Sequence, residues 1–149
     1  MEYTKESKES KEQKKDNKKK FDDDKEDKFL PYGKKIVKVP NKIGHNYIPI
    51  KILSIDDLHT KYSKHRRLKV FHHKGLNCVN CNRKGKYLIT ARDRNGNIHV
   101  DLYTKTFNLM TVDHIKPKSK GGSYDIENLD PMCSHCNSKK SNKWDELEG

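Results

Sequence analysis

The chain has 149 residues, of which 31% are hydrophobic and 36% are charged, so its apolar core must be small. No run approaches the roughly 20 apolar residues that a membrane span needs, which excludes a transmembrane protein and predicts no membrane partner. The N-terminus is charged and lacks the apolar segment of a secretory signal. We therefore expect an intracellular, cytoplasmic protein, located in the host cell cytoplasm if its source is viral.

The charge is unevenly distributed along the chain. Residues 1–28 contain ten Lys and ten Asp or Glu, and this neutral segment has the polar composition of a disordered tail. The remaining residues therefore carry the whole formal net charge of +12. Such an excess on a compact body favours a polyanionic partner, with nucleic acid as the first candidate. A solvated surface without a partner explains the charge equally well.

Residues 29–75 are predicted to form an N-terminal extension that opens with strands. Residues 36–39 are mostly Ile and Val, and isoleucines alternate over residues 48–52, which predicts one or two short strands. Three prolines in this region favour edge or irregular strands: Pro31, Pro40 and Pro49.

A basic helix is predicted to complete this extension. Ser54 and Asp57 resemble a capping arrangement for a helix of about 18 residues, and Gly75 is the expected C-terminal stop. The middle of this helix is rich in Lys and Arg. These side chains either form a solvated face or bind DNA phosphates, and the DNA-binding candidates are Arg66 and Arg67.

A β-hairpin is predicted for residues 86–104. Two apolar alternating runs flank Asn95-Gly96, a pair that favours a two-residue type I′ turn. A third apolar run, residues 107–112, leads to a polar pair at its end. Further along, Asp130-Pro131 offers an N-cap and a first-turn proline for a final helix that reaches about Trp144.

The four cysteines form two C-x-x-C pairs separated by 51 intervening residues: Cys78 with Cys81 and Cys133 with Cys136. In a reducing compartment such pairs indicate metal binding before disulfides or free thiols. Four thiolates fill the tetrahedral shell of Zn²⁺ and leave no position for water. We therefore predict a structural zinc ion that staples residues 76–149 into one domain, with the hairpin inserted between the two pairs.

An ordered set of polar residues follows the hairpin. Asp113-His114 ends the third apolar run, Asn128 lies 14 residues after His114, and Asn137 lies nine residues further on. Together with the cysteines, this pattern over residues 78–143 resembles the HNH endonuclease family. The same intervals occur in the HNH domain of RNA-guided DNA nucleases, and an asparagine directly after the second cysteine pair resembles zinc-containing phage resolvases. The resemblance implies an α+β fold with a ββα-metal nuclease core.

The same residues suit the hydrolysis of a phosphodiester, which needs an activated water and neutralisation of the developing charge. His114 is the candidate general base because its ordinary pKa is about 6.5. Asp113 offers a hard oxygen ligand to Mg²⁺ or Mn²⁺. The family resemblance implies that Asn128 fixes the loop and orients His114, and that Asn137 supplies the second protein ligand. The expected products are DNA ends with 5′-phosphate and 3′-hydroxyl groups.

The last position of the family motif is ambiguous in this chain, because asparagine stands where the family name has histidine. His135 lies two residues before Asn137, and in a helix these two side chains point about 200° apart. They cannot share one ion, and register with the family favours Asn137. His135 would then be exposed or contact DNA.

Lysines near these residues are expected to contact the DNA backbone: Lys116, Lys118, Lys120 and Lys140. Lys140 is equally compatible with a plain helix surface. Two other functions stay open, a noncatalytic zinc-ribbon module that binds nucleic acid and an accessory subunit of a larger DNA-processing complex. A homodimer, which cutting of both strands would require unless the enzyme visits twice, also stays open.

Overall fold

The computed structural model of the protein describes residues 28–140. These residues form seven strands and three short α-helices: β1 Lys28–Tyr32, β2 Lys35–Val39, β3 Ile48–Leu53, α1 Asp56–His59, α2 Leu68–Lys74, β4 Gly85–Arg92, β5 Ile98–Thr104, β6 Met110–His114, β7 Leu129–Cys133 and α3 Ser134–Lys140. The mixture of short helices and small sheets confirms the α+β class. The predicted tail lies outside the described residues except for Lys28, which is the first residue of β1. None of the helices within residues 28–140 has the length and apolar character needed to cross a bilayer.

The strands form three antiparallel sheets. β1 pairs with β2, β4 lies between β3 and β5, and β6 pairs with β7. The extension and the hairpin therefore share one sheet, because β3 pairs along β4. The prediction of one or two strands in the extension was too low, since this region contributes three.

A bulge in β3 changes the expected alternation of its isoleucines. The register against β4 shifts between Pro49 and Lys51, so β3 contains one extra residue relative to its partner strand. As a result Ile48 and Ile50 are exposed, while Pro49 and Ile52 are buried. β3 is an edge strand of its sheet, which is where a proline is tolerated.

The hairpin is confirmed, but the predicted two-residue turn is wrong. β4 and β5 are joined by residues 93–97, and the Asp93 carboxylate accepts hydrogen bonds of 2.9 Å from the N–H groups of both Asn95 and Asn97. Only Gly96 of the Asn-Gly pair has a positive φ, at 87°, whereas a type I′ turn needs two such residues. The Asp93 side chain therefore determines a longer loop.

The central sheet has a core on each face, which suits a chain with few apolar residues. On one side, Leu88 and Leu102 pack against apolar residues of α1 and α2 and against three of the four cysteines. Ile89 and Tyr103 pack on the other side with the β1–β2 hairpin. Because side chains alternate along β4 and β5, two adjacent strands supply both cores.

The predicted 18-residue helix is two helices separated by turns. The Ser54 hydroxyl accepts a hydrogen bond of 3.1 Å from the N–H of Asp56, so the chain turns into α1 near the predicted start. Thr60 then leaves helical geometry, with φ −122° and ψ −76°, and its hydroxyl donates to the carbonyl of Asp56 at 2.9 Å. Such side-chain bonds compete with helix propagation. Gly75, with φ 105°, ends α2 as predicted.

The prediction that Asp130-Pro131 starts the last helix is also wrong. Both residues lie in β7, where Pro131 is opposite Val112, and α3 begins at Ser134. A two-stranded sheet tolerates a proline because each of its strands has an open edge. The predicted helix end near Trp144 lies outside the described residues.

His65 takes the role of a cap for α2. Its Nδ1 atom accepts hydrogen bonds from the N–H groups of Arg67 at 3.3 Å and Leu68 at 3.4 Å. Partial burial, assisted by the charge of Arg67, lowers the pKa of His65 from 6.5. A proton on Nδ1 would remove the acceptor.

We predict that the free energy of unfolding depends on pH through His65. Because its folded pKa is lowered, His65 contributes stability above about pH 6.5, and this is lost as the pH falls through the unfolded and then the lower folded pKa. The His65→Gln variant keeps an acceptor that does not titrate. Denaturant unfolding at about pH 7.5 and pH 5.5 should show a larger loss in the wild type, by about 0.5–1 kcal/mol. Equal losses in both proteins would contradict the assignment.

Candidate active site

The four cysteines come together between the turn after α2 and the junction of β7 with α3. Their sulfur atoms all lie within 4.8 Å of one another, and Cys81 Sγ is 3.8 Å from Cys133 Sγ. Four sulfurs at about 2.3 Å from a tetrahedral ion are about 3.8 Å apart. The cluster therefore fits a metal ion with a closed sulfur shell.

Side chains around the cluster are placed to stabilise thiolates. Asn80 donates its Nδ2 hydrogen to Cys136 Sγ at 3.2 Å, and Arg83 donates to Cys133 Sγ at 3.6 Å. The N–H of Cys136 also donates to Cys133 Sγ, at 3.4 Å. Donors of this kind orient metal ligands and offset their negative charge. The sequence analysis did not identify Asn80 or Arg83, although both lie within two residues of Cys81.

The thiols do not ionise alike without a cation among them. Burial raises the pKa of Cys78, but hydrogen bonds from the backbone of its neighbours outweigh it and lower the pKa to about 6. Asn80 lowers the pKa of Cys136, but burial and the adjacent thiols raise it to about 11. Four thiolates this close repel one another, so a bound cation is needed to keep all four ionised.

The strand β6 and the helix α3 carry three of the four residues predicted for catalysis: Asp113, His114 and Asn137. Asn137 donates its Nδ2 hydrogen to Thr111 Oγ1 at 2.7 Å. Lys140 Nζ forms an ion pair of 2.6 Å with Asp113 Oδ2, and the Asp113 residue is 7% exposed. Because alternate residues share one side of a strand, Thr111 and Asp113 project together toward α3. His135 is exposed on another side of α3.

His114 is the last residue of β6 and directly follows Asp113 in the chain. Its Nε2 atom is buried and has no hydrogen-bond partner among the described residues. The ring packs edge-on against Tyr124, with centroids 4.7 Å apart and planes at 82°. Arg66 Cζ lies 5.4 Å and Lys118 Nζ lies 5.3 Å from the centre of the same Tyr124 ring. The imidazole and two cations therefore lie against the same Tyr124 ring.

Asn128 holds the loop that follows His114. Its Oδ1 accepts from the N–H of Lys116 at 2.8 Å, and its Nδ2 donates to the carbonyls of Lys116 at 3.1 Å and Ser123 at 2.8 Å. Gly122 is needed for this closure, since a Cβ there would lie 1.7 Å from the Lys116 carbonyl oxygen. The loop that carries the lysines is therefore tied to the chain just before β7.

The remaining basic candidates are placed differently from one another. Arg67 forms an ion pair of 2.6 Å with Asp101, so its guanidinium is directed at a carboxylate of the sheet. Lys116 and Lys120 are exposed on the loop after β6. Arg66 lies over the ring of Tyr124, and the same ring packs against His114.

Tyr124 and Thr111 were missed as site residues by the sequence analysis. Thr111 lies two positions before Asp113, so strand alternation alone would have placed it on the same side. Tyr124 lies in the loop closed by Asn128, and nothing in its local sequence shows that it packs on His114. A contact between a loop and a strand end depends on the fold.

Residues 94–143 match the family model described as HNH endonuclease, which covers about a third of the chain. This segment is therefore similar to HNH endonuclease domains, and the β6–β7 pair followed by α3 is consistent with a ββα-metal core. The resemblance stated from the sequence is confirmed. HNH domains act on DNA, so the domain indicates a nuclease-related function. No curated protein and no solved structure matches the chain.

We predict that removing the metal from the cysteine cluster unfolds the domain. Three of the four cysteines are buried in the core beside β6 and β7, so a metal ion bound by them would supply folding free energy. A chelator that competes strongly with the thiolates for the metal ion should abolish the cooperative unfolding transition followed by circular dichroism. Added metal should restore the transition. A metal-free protein with an unchanged transition would contradict this prediction.

Proposed function

We propose that the chain is a metal-dependent DNA endonuclease that hydrolyses phosphodiester bonds and leaves 5′-phosphate and 3′-hydroxyl ends. A structural Zn²⁺ ion would occupy the cysteine cluster, and a separate Mg²⁺ or Mn²⁺ ion would serve catalysis. The observation that carries the proposal is the buried, unpartnered Nε2 atom of His114, which ends β6 within the segment that matches the HNH model.

His114 is suited to the role of general base. A buried polar atom without a partner costs free energy, so it is retained where it has a use. Once DNA and water enter the site, the unpartnered nitrogen would accept a proton from the water that attacks the phosphate in line. Tyr124 limits the rotation of the ring by its edge-on contact. Arg66 and Lys118, held near Tyr124, would attract the phosphate toward His114.

Asp113 and Asn137 fit a hard divalent cation. Both project into the interface between β6 and α3, through their contacts with Lys140 and Thr111. The Asn137 amide donates through Nδ2 to Thr111, which leaves Oδ1 as its oxygen ligand, and carboxylate and amide oxygens are the ligands that Mg²⁺ prefers. Bound there, the ion would stabilise the negative charge that develops on the phosphate and the leaving oxygen.

Lys140 would change partners when DNA binds. In the structure its ammonium group lies 2.6 Å from Asp113, and a divalent ion on the same carboxylate would repel it. The lysine is then available to a phosphate oxygen. Lys116, Lys118 and Lys120 would contact neighbouring phosphates from the loop that Asn128 holds.

A second basic region extends the proposed DNA-binding surface. A cavity of about 430 Å³ is lined by four cations and two threonines: Arg83, Lys84, Lys86, Lys105, Thr104 and Thr106. Ammonium, guanidinium and hydroxyl groups are the usual donors to phosphate oxygens. Arg67 is a weaker candidate than the sequence indicated, because it pairs with Asp101.

One observation favours the noncatalytic alternative, a zinc-stabilised module that only binds nucleic acid. The ion pair between Lys140 and Asp113 neutralises the carboxylate that a catalytic metal would need. The two functions predict the same zinc ion and the same DNA binding. They differ only in cleavage.

We predict that the His114→Ala variant loses plasmid cleavage by at least about 100-fold, the usual contribution of a general base. Supercoiled plasmid incubated with the zinc-loaded protein and Mg²⁺ or Mn²⁺ should become nicked first, because one centre cuts one strand. Nicked and linear products are separated on a gel. Gel-shift binding of the same DNA should be nearly unchanged, since His114 is not a phosphate anchor in this proposal.

His135→Ala is the matched control, because His135 is an exposed histidine of the same domain. It should cut like the wild type. Full cleavage by His114→Ala would contradict the proposed mechanism, and absence of cleavage by the wild type with either ion would favour the binding module. Loss of cleavage in His135→Ala would instead assign the second ligand position to His135.

A further inference from the structure

A cavity of about 230 Å³ lies beside the start of β6, outside the residues assigned to cleavage. Its lining includes three aromatic or imidazole rings, an ion pair and a hydroxyl group: His45, Tyr47, His99, Arg67, Asp101 and Thr111. Cavities for drug-sized ligands are about 300–1,000 Å³. This cavity is therefore suited to something smaller, of the size of one flat ring system.

Three rings in the lining of the cavity are held in place by contacts with one another and with the β4–β5 loop. The rings of Tyr47 and His99 stack with centroids 4.4 Å apart and planes at 7°. His45 packs edge-on against Tyr47, at 5.7 Å and 75°. His99 Nε2 is 2.8 Å from the Asp93 carboxylate that shapes the β4–β5 loop. The ring orientation is thus determined before any ligand binds.

The cavity also contains a carboxylate where a core side chain is expected. Asp101 lies between His99 and Tyr103 on β5, and Tyr103 on the same side of the strand is fully buried. Asp101 is itself 5% exposed, and Arg67 Nη2 lies 2.6 Å from its Oδ1. A buried charge is costly unless it is paired, and this pair faces a cavity instead of a closed core.

These groups match a nucleobase better than other small ligands. A base offers a flat face for the stacked rings, and its amino and imino groups donate to a carboxylate. A lone phosphate would be repelled by Asp101, and an apolar ligand would leave the charged pair unsatisfied.

The cavity is close to the proposed cleavage site. Thr111 contributes to its lining and also accepts the hydrogen bond of Asn137. Thr111 and His114 are three residues apart on β6, which corresponds to about 10 Å. This distance equals about three nucleotide steps of 3.4 Å. Arg67 lines the cavity, while the adjacent Arg66 lies near His114 through Tyr124.

We propose that this cavity accepts a single base displaced from the DNA stack within a few nucleotides of the cut phosphate. The inference rests on the proposed function, since it names the feature of DNA that the same enzyme would select. A displaced base costs least where it is already unpaired. The protein should therefore prefer DNA that contains an unpaired base over a fully matched duplex.

The test measures binding of the zinc-loaded full chain, without Mg²⁺ or Mn²⁺, to a matched duplex and to the same duplex with one bulged base. The wild type should bind the bulged duplex about tenfold more tightly. Tyr47→Leu should bring this ratio to about one and leave binding of the matched duplex unchanged, because the phosphate contacts are elsewhere. Tyr47→Phe keeps the stacking face and should keep the preference.

A second measurement on the wild type covers the case in which Tyr47→Leu does not fold. A 2-aminopurine at the bulged position should lose fluorescence on binding as it stacks against Tyr47. Equal binding of both duplexes by the wild type, a preference that persists in Tyr47→Leu, or unchanged fluorescence would overturn the inference while leaving the nuclease proposal intact. A wild type that binds neither duplex would overturn both.

Discussion

The convergence of four thiols is the constraint on which the rest of this structure depends. It joins the turn at Cys78 and Cys81 to the end of β7 and the first turn of α3, across 51 intervening residues. With 31% hydrophobic residues, the chain has little other means of holding α3 against the sheets. Cys136 and Asn137 are adjacent, so the contact that anchors the helix also sets the direction in which Asn137 and the next helical turn project.

With α3 anchored in this way, ordinary strand and helix geometry explains the polar contacts between β6 and α3. Asn137 and Lys140 lie three residues apart on α3 and meet Thr111 and Asp113, two residues apart on β6. The loop after β6 is closed separately, by Asn128 and by the close approach that only a glycine at position 122 permits. The cysteine cluster, the contact between β6 and α3, and the loop after β6 are therefore distinct parts, and each can be altered by its own substitution.

The sequence was most informative where a residue type has one physical use. The paired cysteines, the end of β6 at Asp113-His114 and the glycine stop of α2 required no knowledge of distant contacts. The errors lie where tertiary contacts decide between local options. Asp130-Pro131 has the local chemistry of a helix start, yet pairing with β6 places it in a strand. The partnership of Tyr124 with His114 joins a loop to a strand end, so no spacing in the sequence encodes it.

The central claim is that a metal ion with a closed sulfur shell holds α3 against β6. X-ray absorption at the zinc edge, measured on the purified full chain, tests this claim most directly. We expect one zinc ion per chain with four sulfur neighbours at about 2.3 Å and no nitrogen or oxygen neighbour. A shell that mixes sulfur with nitrogen or oxygen, or a folded protein that contains no zinc, would contradict it.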